Sequence, residues 1–87
     1  MATAIMEGQL REVLNGDSIL ASRRCVARAG LTSGVEVECR GTVLGIWHWR
    51  NGVFELVGPD APGEAVALET VAEALYYTRE TLCPGPC

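Results

Sequence analysis

The clearest pattern in the chain is a pair of β-prone runs on either side of Asn51 and Gly52. A two-residue type I′ turn requires positive φ at both central positions, which asparagine and glycine tolerate. The pattern therefore predicts an antiparallel hairpin of strands 42–50 and 53–57. A turn of this length also determines which residues face each other across the two strands.

The predicted register gathers large apolar side chains on one face of the hairpin, because side chains alternate along a strand. We call this the aromatic face, and it consists of Trp47, Trp49, Phe54 and Leu56. Large apolar residues are usually buried, so one interpretation makes this face a wall of the core. The other makes it a surface that binds a partner, since tryptophan-centred patches dominate binding energy where they are exposed.

Residues 35–40 alternate between apolar and acidic side chains, which predicts another half-buried strand. A two-residue link to the hairpin would place Val35 and the other apolar side chains of this strand on the other side of the sheet from the aromatic face. Glu36 and Glu38 would then flank the aromatic face. A bulge at Gly45 would change part of this register.

Apolar residues at helical spacing predict an N-terminal helix over residues 3–14 and a C-terminal helix over residues 71–82. Residues 18–29 follow a candidate capping residue and are predicted to form a second helix. Residues 65–68 are predicted to add a short fourth strand. The predicted fold is α+β, with two N-terminal helices, a three- to four-stranded antiparallel meander and a C-terminal helix.

The chain of 87 residues is long enough for one domain, predicted over residues 1–82. Residues 83–87 contain two prolines and are predicted to be a flexible tail. The N-terminus lacks the basic and apolar regions of a secretory signal, and no apolar run is long enough to span a membrane. We therefore expect a cytoplasmic protein.

The net charge of −4 is unevenly distributed along the chain. Residues 1–34 hold four arginines and three acidic residues, whereas residues 35–87 hold three arginines and eight acidic residues. An acidic surface repels phosphate backbones and favours basic protein partners. The chain contains no lysine, which fits a GC-rich bacterial or phage genome.

The four cysteines are Cys25, Cys39, Cys83 and Cys87. Together with His48 they suggest a metal or redox site, but their spacing differs from the paired C-x-x-C knuckles of zinc ribbons. The other interpretation is two buried, apolar cysteines and two in a flexible tail, all of them reduced in the cytoplasm. We expect no cofactor and no metal.

Two helices followed by a hairpin also suggest a winged-helix domain that binds nucleic acid through Arg23, Arg24 and Arg28. The number of basic residues that could contact phosphate is small, so nucleic acid is a less favoured partner. The sequence lacks a P-loop, a nucleophile close to His48 and a catalytic pair of carboxylates. No motif therefore marks the chain as an enzyme.

The function expected from these patterns is that of a small, acidic, non-enzymatic interaction module, either a regulator or an inhibitor. Its partner would be a basic protein or a second copy in a homodimer. The residues expected to bind the partner are those of the aromatic face with Glu36 and Glu38. The alternatives are a metal or redox protein that uses its cysteines and a winged-helix-like nucleic-acid binder.

Overall fold

The computed structural model describes residues 2–30, 33–58 and 66–85, and these confirm an α+β fold. The elements are α1 (Ala2–Gly16), α2 (Ser18–Ser22), β1 (Cys25–Ala29), β2 (Val35–Cys39), β3 (Thr42–Arg50), β4 (Val53–Val57), β5 (Ala67–Leu68), α3 (Val71–Tyr77) and a π-helix (Thr78–Leu82). The strands of the described residues form one antiparallel sheet of five, in the order β1-β2-β3-β4-β5.

The first strand was not predicted, because its residues were assigned to the second half of a helix over residues 18–29. Helix α2 ends at Ser22, and Arg24 then adopts a positive φ of 63° that turns the chain into β1. The outer edge of β1 is bonded to Asn15, whose side-chain amide donates to the Ala27 carbonyl and accepts from the Ala27 N–H, both at 2.9 Å. Pairing with β2 and this edge contact favour the strand over the predicted helix.

The hairpin of β3 and β4 has the predicted register, with positive φ at both Asn51 and Gly52. The register between β2 and β3 contains a bulge, as the glycine at position 45 allowed. Val37 lies opposite Gly45 and the next residue of β2 lies opposite Val43, so Leu44 is the inserted residue. The inserted residue reverses the faces, so Val35 lies opposite Trp47 in the register and on the same side of the sheet as the aromatic face. The prediction that the apolar side chains of β2 lie on the other side of the sheet is wrong.

The core lies between the aromatic face and helices α1 and α3. The fully buried large side chains are Leu10, Leu20, Val35, Val37, Trp47, Phe54 and Thr78. The opposite face of the sheet is more exposed, and Val26 and Val57 retain 47% and 43% of their surface there. Within the described part of the chain, no helix combines the length and apolar character needed to cross a membrane.

Candidate metal centre

The aromatic face is the core side of the sheet. Trp47 and Phe54 are 0% exposed, Leu56 is 6% exposed and Trp49 is half-buried. The ring of Trp47 meets those of Phe54 and Tyr77 edge-on, with centroids 6.5 and 5.7 Å away. Of the two interpretations of this face, its burial favours the wall of the core, and Trp49 is the member that keeps a partly exposed surface.

Glu36 and Glu38, which were predicted to flank the aromatic face, are half-buried on the opposite side of the sheet. A carboxylate oxygen of Glu38 lies 3.2 Å from Nε of Arg28 in a surface ion pair. The structure thus separates the two acidic residues from the aromatic residues and does not assemble them into one partner-binding surface.

Three cysteines that are distant in sequence converge at one end of the core. Cys25 begins β1 and Cys39 ends β2, and the two face each other in the register of these strands. Cys83 follows the π-helix at the end of the described chain. The three sulfur atoms lie within 4.8 Å of one another, and all three residues are buried. We call this group the cysteine cluster.

The π-helix orients the third cysteine. The Cys83 N–H donates a 2.7 Å hydrogen bond to the Thr78 carbonyl five residues earlier, which is the wide turn of a π-helix. Leu82 and Cys83 are consecutive, yet they are 8% and 3% exposed, so both side chains reach the interior. The prediction of a flexible tail from residue 83 is therefore wrong for Cys83, while Cys87 lies outside the described residues.

Arg23 connects the N-terminal half of the chain to the π-helix by hydrogen bonds. Nη1 of Arg23 donates to the carbonyl oxygens of Arg79 and Cys83 at 2.8 and 2.9 Å. The carbonyl oxygen of Arg23 also lies 3.3 Å from Sγ of Cys39 and 3.9 Å from Sγ of Cys25, so this residue contacts all three members of the cluster.

Asp17 anchors the other end of this connection. Its carboxylate caps α2 by accepting from the Leu20 N–H at 3.0 Å, and it pairs with the guanidinium of Arg79, whose Nε donates at 3.1 Å. The hydrogen bond from Arg79 is the main reason that the pKa of Asp17 lies below its usual value. The α2 cap and the π-helix are thus held together next to the cysteine cluster.

The covalent state of the cluster is oxidised in this structure. A disulfide joins Cys25 and Cys83, whose Cα atoms are 7.1 Å apart, and none of the described cysteines is a free thiol. Most disulfides join Cα atoms about 4.4–6.8 Å apart. The backbone at this site is therefore spaced more widely than an isolated disulfide needs, and a third sulfur lies beside the bridge.

An open cleft of about 630 Å³ reaches the cluster from the surface. Its walls include Cys39 and Cys83 together with Leu44, Leu82 and Pro84. Two of the three cysteines therefore line this cleft, although they are only 4% and 3% exposed.

His48, which was considered together with the cysteines, is not part of this group. It projects from β3 on the side opposite Trp47, and its Nδ1 lies 3.5 Å from Oγ of Ser33. A serine near His48 was not found in the sequence, because the turn before β2 brings it there. A surface contact at the outer limit of hydrogen-bond distance does not define a nucleophile and base.

Comparison with known proteins identifies no relative. No family model, curated protein or solved structure matches the chain. The function is therefore inferred from the chemistry of the residues themselves.

Proposed function

We propose that the protein, when reduced, binds a thiophilic divalent cation, zinc in the first place, through the thiolates of Cys25, Cys39 and Cys83. The observation that supports this is the convergence of three buried sulfur atoms within 4.8 Å of one another. In a tetrahedral site with Zn–S bonds of about 2.3 Å, sulfur atoms lie about 3.8 Å apart. On reduction, the sulfur atoms of Cys25 and Cys83, which are bonded in this structure, have to separate to about this distance to surround the ion.

The metal would have a structural role. It would cross-link the start of β1, the end of β2 and the segment after the π-helix, which are far apart in the sequence. A domain of 87 residues buries a modest core, and a metal cross-link is one way in which small domains gain stability. Structural zinc sites use four protein ligands, and the sequence offers Cys87, four residues after Cys83, as the candidate for the fourth.

This proposal is preferred to the two other functions expected from the sequence because their supporting observations are weaker. The interaction hypothesis depended on an exposed aromatic face, whose residues are buried apart from the half-buried Trp49. The nucleic-acid hypothesis depended on arginines, but Arg23 donates to two carbonyl oxygens of the chain and Arg28 pairs with Glu38.

Cobalt(II) titration of the reduced protein tests the proposal, because cobalt reports its own ligands. Tetrahedral thiolate coordination gives intense visible bands and a sulfur-to-cobalt charge-transfer band, and zinc should displace both. We expect about one cobalt per chain at such a site. Reduced, folded protein that shows no charge-transfer band under these conditions would exclude the site.

Single serine variants then identify the ligands. Cys25→Ser, Cys39→Ser and Cys83→Ser should each weaken or shift the charge-transfer band, whereas Ser22→Ala, in the nearby α2, should leave it unchanged. Cys87→Ser shows whether the site has three or four thiolate ligands. The spectrum of a three-thiolate site should stay the same in this variant, and that of a four-thiolate site should change. A band that survives the Cys25, Cys39 and Cys83 substitutions would place the metal elsewhere and overturn the assignment.

A further inference from the structure

We infer that a hydroperoxide, such as hydrogen peroxide, converts this centre from a metal-binding thiolate cluster into a disulfide and so releases the metal. This inference rests on the proposed function and concerns the regulation of the same site. Its structural basis is that the same sulfur atoms are disulfide-bonded here and lie close enough to share a metal ion.

The two states exclude each other. Zinc binds cysteine as the negatively charged thiolate. A sulfur atom in a disulfide is neutral and is a poor ligand for zinc. Formation of the Cys25–Cys83 bridge therefore removes two of the three described ligands. Cys39 is also disulfide-bonded in the oxidised state, so the cluster retains no described thiolate with which to hold the ion.

The reaction balances with one peroxide for each disulfide. A thiolate attacks one peroxide oxygen, the O–O bond breaks, and the products are a sulfenic acid and hydroxide. A neighbouring thiolate then attacks the sulfenic sulfur, which forms the S–S bond and expels a second hydroxide. Two protons from solvent convert the two hydroxides to water. The two sulfur atoms lose two electrons, the peroxide gains them, and the metal leaves as the hydrated ion.

The position of the cleft indicates the order of attack within the Cys25–Cys83 pair. Cys83 lines the cleft and is 3% exposed, so we assign the attack on peroxide to its thiolate. Cys25 lines the interior beside Leu14 and Leu20, where it is placed to resolve the sulfenic acid. The short distance between the sulfur atoms favours this second step over further oxidation of Cys83.

The test starts from reduced protein loaded with zinc and freed of excess metal. Hydrogen peroxide is added in the presence of a colorimetric zinc chelator too weak to extract the bound ion, and released zinc is measured against time. We expect release of about one zinc per chain, in step with the loss of titratable thiols. Dithiothreitol followed by zinc should restore the loaded state.

Tryptic peptide mapping identifies the bond that forms. Cleavage after arginine places Cys25 in residues 25–28, Cys39 in residues 29–40 and Cys83 in residues 80–87. A cross-link between the first and third peptides is expected, and the Cys87→Ser variant assigns it to Cys83. Zinc that stays bound after thiol oxidation, or zinc release with sulfinic acid and no Cys25–Cys83 bridge, would overturn the inference.

A separate arm distinguishes the two proposals. Untreated, loaded protein is denatured in chelator without peroxide, which reports all zinc that was bound. Zinc present in this arm but not released by peroxide contradicts only the redox inference. No zinc in this arm means that the proposed metal site itself is wrong, and the inference falls with it.

Discussion

The indole N–H of Trp47 donates a 3.1 Å hydrogen bond to Oγ1 of Thr78, and both residues are 0% exposed. The same hydroxyl donates at 2.7 Å to the carbonyl of Ala74, one turn earlier. This contact joins the middle of β3 to the start of the π-helix. Thr78 thus links a tryptophan of the sheet, through its side chain, to Cys83, whose N–H donates to the Thr78 carbonyl.

Replacement of Thr78 by valine keeps the shape of the side chain and removes the acceptor. The Trp47 N–H would be left buried without a partner, so we expect a loss of about 1–3 kcal/mol in the free energy of unfolding. Urea denaturation in reducing buffer measures it. Thr81→Val, at an exposed position of the same π-helix, is the control and should change stability by less than about 0.5 kcal/mol. Equal effects of the two substitutions would show that the hydrogen bond contributes nothing.

Glu7 is a second buried connection, from α1 to the sheet. Its Oε1 accepts from the Gly34 N–H and its Oε2 from the Trp49 N–H, both at 2.9 Å. In Glu7→Gln the amide nitrogen must face one of these donors, so we expect a loss of about 2 kcal/mol, measured by urea denaturation. Glu12→Gln, exposed on the same helix, is the matched control. A fully stable Glu7→Gln protein would contradict the two bonds.

The pair of Asp17 and Arg79 predicts a dependence of stability on pH. The hydrogen bond from Arg79 lowers the pKa of Asp17 in the folded state below the ordinary value of 3.8. The stabilisation is therefore fully present above pH 3.8 and is lost as the pH falls from there through the folded pKa. Asp17→Asn retains an N-cap and removes the charge, so the stability advantage of the natural protein over this variant should shrink in that range. An advantage that stays constant down to the lowest pH would refute the pairing.

The elements that could be predicted from sequence are those specified by neighbouring residues. Asn51 and Gly52 determine the hairpin through positive φ, and Thr70 and Glu73, three residues apart, form a capping box at the start of α3. At Leu44 the neighbouring residues do not determine the register. One inserted residue reverses which side of β2 meets the core, and only packing against the helices selects between the two registers.

The candidate site could be predicted only in part, because it is made by tertiary structure. Its cysteines were recognised as a possible metal set, but Cys25 was assigned to a helix and Cys83 to a flexible tail. Their convergence requires the strand β1, which Asn15 supports from another element, and the π-helix, which no local pattern indicated. Spacing along the chain therefore gave no measure of the distances between the sulfur atoms.

The burial of the aromatic face predicts that the two tryptophans differ in fluorescence. Trp49→Phe leaves Trp47 as the only tryptophan, and its emission should be blue-shifted and weakly quenched by acrylamide because the ring is enclosed. Trp47→Phe leaves the half-buried Trp49, which should be quenched more strongly. Equal, strong quenching of both variants would indicate that the face is open.

Trp49→Ser tests the same burial through stability. The Trp49 ring packs against Phe54 with centroids 4.7 Å apart, so its removal exposes part of the core. We expect a loss of about 2–4 kcal/mol in the free energy of unfolding, somewhat less than for a fully buried tryptophan. Val26→Ser, on the more exposed face of the sheet, is the control and should cost less than about 1 kcal/mol. A Trp49→Ser protein as stable as this control would return Trp49 to the surface and restore it as a candidate for partner binding.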